Sequence, residues 1–135
     1  MQRREDRISY YFSRIVDSPF EETLEKTIAS LKDEGFGVLT DIDVKATLKK
    51  QLDVDFREYR ILGACNPPFA YKALQAERMI GSMLPCNVIV QEAGDGKTEI
   101  SAIDPIASMQ AVENSDLGRV AVEVRDTLKR VVENV

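Results

Sequence analysis

Histidine is absent from all 135 residues. Without an imidazole there can be no Ser-His-Asp triad, no Cys-His nucleophile pair and no His-ligated metal site. Cysteine is scarce. Cys65 and Cys86 alone do not make a disulfide framework, so both are expected to be free thiols of a cytoplasmic protein. No run of about 18 apolar residues occurs, so no spanning helix and no membrane partner are expected. The charged start is not followed by the apolar stretch of a secretory signal. Positive charge is in deficit too. The net charge is −5 and the isoelectric point about 4.8, the wrong sign for binding a phosphate backbone, so no nucleic-acid partner is expected. The exception is Gln2-Arg3-Arg4-Glu5-Asp6-Arg7, which reads as a solvated arm over residues 1–7 of a single domain, 1–135. No repeat, low-complexity tract or flexible linker divides the chain.

What is present is an alternation of strand and helix signals. Residues 8–16 are β-branched and aromatic and predict a first strand. Ser18 as cap, Pro19 at the first helical position and Glu21 as the far side of a capping box predict a helix. Phe20, Leu24, Ile28 and Leu31 mark its buried face, and Gly35 its left-handed end. A short strand, 36–40, follows. Asp43 can cap a short helix that would bury Val44, Leu48 and Leu52. Residues 56–65 form a third strand, apolar on both faces at Ile61-Leu62-Gly63-Ala64 and so placed centrally. A helix from Pro67 to about Ile80 would bury Ala70, Leu74 and Ile80, with Gly81 and Pro85 closing it. Strands 86–92 and 97–103 flank the hairpin signal Ala93-Gly94-Asp95-Gly96. After Asp104-Pro105 comes a short irregular or helical stretch. Asn114-Ser115-Asp116 then offers caps for a last helix with the stripe Leu117, Val120, Ala121, Val124, Leu128 and Val131. The expected fold is α+β in two layers, with helices on one face of a mostly antiparallel sheet of about five strands. Ile89 and Ile100 give the hairpin apolar residues on both faces. A sheet face left bare in that way suggests pairing with a second copy as a homodimer.

The residues most suggestive of a site are Ile61 to Phe69, where an apolar strand reaches Cys65 and stops at Asn66-Pro67-Pro68. A helix N-terminus lowers a thiol pKa through its unsatisfied N–H groups and dipole, which makes Cys65 the candidate nucleophile. The donor count weakens this. Pro67 and Pro68 carry no N–H, Asn66 as cap would engage the Phe69 N–H, and no basic residue is adjacent. The balance leans away from an enzyme and towards a small-ligand pocket or structural module. Cys65, Asn66, Cys86 and Asp104 are the candidate ligand-binding residues, although Asp104 also suits an N-cap. Two alternatives remain: a thiol-based redox sensor or enzyme using Cys65 with Cys86, and soft-metal binding by the two thiols. Spacing of 21 residues between them is a poor metal signature, so no metal and no cofactor are expected. The glycine pairs fit neither a P-loop nor a dinucleotide fingerprint.

Several stretches together resemble one prokaryotic family, the domain of unknown function numbered 302. They are Phe36-Gly37-Val38-Leu39, Asp43 to Lys49, Tyr59 to Pro67, Leu84-Pro85-Cys86-Asn87-Val88 and the Asp104-Pro105 region. The likeness runs from about Tyr10 to the end. It implies a small α+β domain similar to the two-layer folds of the TATA-binding-protein type, often dimeric. It implies no activity, substrate or catalytic residue. A fold shared with DNA-binding proteins does not carry their function.

Overall fold

The computed structural model describes residues 9–135, so the expected arm over 1–7 and the first residue of the strand expected over 8–16 lie outside the described residues. The chain runs β1 (Tyr11–Val16), α1 (Phe20–Asp33), β2 (Gly37–Asp43), α2 (Val44–Leu52), β3 (Tyr59–Cys65) and α3 (Pro67–Ala76). A 3-10 turn, Ile80–Met83, precedes β4 (Cys86–Gly94), β5 (Lys97–Ile103), the short α4 (Pro105–Ser108) and α5 (Ser115–Glu133). Among the described residues the sheet has five strands in the order β1-β5-β4-β3-β2, and every neighbouring pair is antiparallel. The fold is α+β, with helices over one sheet face, as expected. β3 is interior, but the middle strand is β4.

Alternation along the strands decides which face is covered. Val88, Val90, Ile100 and Ala102 are buried under the helices, together with Leu62 and Ala64 of β3. Ile100 therefore belongs to the core, whereas Ile89, paired with Ser101, lies on the open face. The β4–β5 turn is Asp95-Gly96, both at positive φ (54° and 73°), which is the two-residue type I′ geometry that an Asp-Gly sequence favours.

α1 ends in a Schellman motif. The Phe36 N–H donates to the Leu31 carbonyl at 2.8 Å and the Gly35 N–H to the Lys32 carbonyl at 3.0 Å, with Gly35 at φ 85°. α5 buries Leu117, Ala121, Val124, Leu128 and Val131, with Val120 half-buried, as the stripe predicts.

Four local expectations need correction. Pro19 is the N-cap of α1, not its first helical residue, so Ser18 lies outside and its hydroxyl makes no capping bond. Ser18 acts instead through its carbonyl, which accepts from the Thr98 hydroxyl at 2.8 Å. The buried face of α1 is Phe20, Thr23, Leu24, Thr27, Ser30 and Leu31, while Ile28 is exposed. Its polar members were invisible to an apolar count, yet each hydroxyl donates to a carbonyl; Ser30 reaches that of Val131 at 2.8 Å. α2 has its Asp43 cap, accepting from the Ala46 N–H at 3.0 Å, but buries no residue, and Leu52 is 67% exposed. It lies against β2 and β3 near the sheet edge, where no second layer covers it. α3 stops at Ala76 instead of continuing to Ile80, because Glu77 turns extended. Ala73 is its buried residue, Leu74 is exposed, and Ile80 is buried from the separate 3-10 turn.

Candidate functional site

The junction after β3 is built as its residues dictate. Asn66 is the N-cap of α3 in extended geometry, and two prolines open the helix. Its carboxamide oxygen accepts from the Phe69 N–H at 3.5 Å, and its amide donates to the Glu34 carbonyl at 3.3 Å. Asn66 therefore ties the end of α1 to the start of α3. Gly35 makes room for this: a Cβ there would lie 3.1 Å from Asn66 Nδ2. Asn114 does the same at the other end of α3. Its oxygen accepts from the Asp116 and Leu117 N–H groups at 3.1 and 3.2 Å, and its amide donates to the Ala76 carbonyl at 2.7 Å. Both positions need a side chain that accepts and donates at once, which Asn can do and Asp cannot. Asp104 is a simpler cap, accepting from the Ile106 N–H at 3.0 Å.

A cavity of about 250 Å³ opens beside Cys65 and Asn66. It lies between α3, α5 and the sheet end, and Ala70, Ala73 and Ala121 contribute methyl groups where larger side chains would fill the space. Leu84, Pro85 and Cys86 close one side, Phe36 and Met109 others. Leu39 and Leu74 also line it while remaining 66% and 48% exposed, so they form an apolar mouth. Leu39 sits at the bulge of β2, where the register shifts between Val38 and Thr40; bulges commonly re-aim a side chain beside a site.

Antiparallel pairing of β3 and β4 sets Ala64 opposite Cys86, so Cys65 and Cys86 lie at the same end of neighbouring strands. Both thiols are free. Burial, with a smaller contribution from Cys65, pushes the Cys86 thiol up from about 9 to about 11, so it is protonated at neutral pH. Among the described residues no group of three or more Cys, Asp or Glu side chains could hold a metal ion.

Of the four sequence candidates, Cys65, Asn66 and Cys86 line the cavity, whereas Asp104 does not and its neighbour Pro105 does. The alanines, Leu39 and Met109 were missed. Small residues at one helix face are a signal only once the facing helix is known.

A second depression, of about 350 Å³, lies on the open sheet face among Tyr10, Tyr11, Tyr59, Ile89, Gln91 and Glu99. Two of its polar side chains, Gln91 and Glu99, are engaged by each other and by neighbours. Ser13 donates to Glu99, Gln91 donates to Glu99 at 3.5 Å, and Arg57 donates to Gln91 at 3.0 Å. With Gln91 and Glu99 already engaged in this way, the alanine-lined cavity is the stronger candidate for a small ligand.

The family model described as Domain of unknown function DUF302 matches residues 12–135. The chain belongs to the DUF302 family. A similar solved structure is the crystal structure of an uncharacterized conserved DUF302 protein from Bacillus stearothermophilus. It is 28% identical, with a TM-score of 0.87 over 94% of this chain and 98% of that one. No curated protein matches this chain. No helix of this DUF302 domain, among the described residues, is long and apolar enough to cross a membrane.

Proposed function

We propose that this DUF302 domain is a small-molecule-binding module, with its ligand held in the cavity where β3 passes into α3. One observation carries the reading: a cavity of about 250 Å³, open through two exposed leucines, adjoins the Cys65-Asn66 junction. An apolar pocket with a few polar groups is the usual form of a ligand site. The same reading takes two copies to pair through the open sheet face, where Ile15 and Ile42 are 58% and 48% exposed; a monomer mass by sedimentation would remove that part.

The test is a fragment screen followed by the methyl resonances of Leu84 and Met109. Binding should shift both, and Ala70→Leu, which fills the cavity, should abolish the shifts while the protein stays folded. A library that moves neither methyl sinks the proposal.

Thiol exchange is a second reading, supported by the placement of Cys65 beside Cys86 at one end of β3 and β4. Against it stands the raised Cys86 pKa, which keeps that thiol from acting as a thiolate at neutral pH. Mass spectrometry after peroxide treatment tests it: an intramolecular Cys65–Cys86 bridge, absent in Cys86→Ser, is the expected product, and two unbridged cysteines rule the reading out.

A further inference from the structure

The chemistry of the lining narrows the ligand, given the reading of the cavity as a binding site. We propose that the cavity takes an uncharged, mainly apolar molecule of one or two rings and rejects carboxylates and ammonium ions. Among the described residues, no Asp, Glu, Lys or Arg side chain lines it. A charge brought into such a wall loses its hydration and gains no partner, which is far costlier than burying a neutral group.

The helix N-terminus beside the cavity does not supply the missing partner. Helix starts ordinarily bind anions through free N–H groups. Here Pro67 and Pro68 have none, the Phe69 N–H is taken by Asn66 Oδ1, and the Ala70 N–H donates to the Asn66 carbonyl at 2.9 Å. The first turn of α3 is spent before a ligand arrives. Asn66 itself has one amide N–H committed to Glu34 and one oxygen lone pair to Phe69, which leaves its carboxamide the capacity to serve one further acceptor or donor atom. A ligand with a single carbonyl, ether or ring heteroatom fits that capacity.

Size sets the ring count. An engineered apolar cavity of about 150 Å³ takes benzene, so about 250 Å³ leaves room for a fused bicycle. The exposed leucines at the mouth let such a molecule enter without meeting a charge. The wall's own thiol shows the same aversion to charge, since burial raises the Cys86 pKa.

Three probes with one ring system separate the outcomes: indole, indole-3-acetate and tryptamine, titrated at pH 7 against the Leu84 and Met109 methyl resonances. Indole should shift both saturably, and the shifts should vanish in Ala70→Leu. The anion and the cation should bind at least 30-fold more weakly. If either ion binds within threefold of indole, the proposed ligand class is wrong and the site reading stands. If none of the three moves either methyl, both are wrong. Indole shifts that persist in Ala70→Leu put the molecule elsewhere and overturn the class for this cavity.

Discussion

Helix α5 meets two neighbours in opposite ways. Against α1 it helps build a filled core, in which Leu31, Leu128 and Val131 are wholly buried. Against α3 the same helix leaves the cavity lined by Ala70, Ala73 and Ala121. The polar groups differ as well. Between α1 and α5, Ser30 hydroxyl meets a carbonyl inside the core. Around α3 the polar work is done at its ends, by Asn66 and Asn114. One side is held by packing along its length; the other packs through Ala73, Ile80 and Leu117 and is tied at both ends around a hollow. A binding site needs the second arrangement, because space and rigidity are then supplied by different residues.

The contrast can be broken first where the packing is densest. Leu128→Ala should cost about 3 kcal/mol of unfolding free energy by urea denaturation, since it opens a cavity in a filled core. Leu74→Ala, at the exposed mouth, should cost under about 1 kcal/mol. Equal losses would mean that the two sides are packed alike.

Burial at the cavity wall is read by pH. The folded-state pKa of Cys86 is raised, so its contribution is complete below about pH 9 and is lost as the pH climbs towards 11. Over that window, wild type should lose about 2–3 kcal/mol more stability than Cys86→Val, from two pKa steps of about 1.4 kcal/mol each. Parallel stability curves for the two proteins would place Cys86 in contact with water.

The ties are the subtlest comparison. Asn66→Asp and Asn114→Asp keep the capping oxygen and lose the amide donor, so each should cost about 1–2 kcal/mol by thermal unfolding. Asp104→Asn adds a donor that nothing at this cap requires and should change stability by less than about 0.5 kcal/mol. If all three shift the melting temperature equally, the interhelical bonds contribute nothing beyond capping.

How far the sequence was legible follows the range of the forces involved. The last helix was readable because its apolar stripe repeats within one element. β5 was found at its observed bounds, and the Asp95-Gly96 turn from a local backbone requirement. The first helix was found, but its buried threonines were not, since an apolar count passes over hydroxyls that bond to carbonyls within the helix, as Thr27 does to Thr23 at 2.7 Å. α2 shows the converse error: its apolar spacing is correct for a buried face, yet Val44 and Leu48 are only half-buried against the sheet edge and Leu52 is exposed.

At the site, the chain by itself determined the ingredients of the junction: a strand end, a thiol, an asparagine cap and two prolines that remove donors. Each depends on chemistry within a few residues. The tertiary structure alone decided that Cys86 returns beside Cys65, since that required antiparallel pairing of β3 with β4. It also decided that Asn66 and Asn114 reach carbonyls 32 and 38 residues away. The hollow itself belongs to that second group, because three alanines leave a space only when the helices that carry them are set face to face.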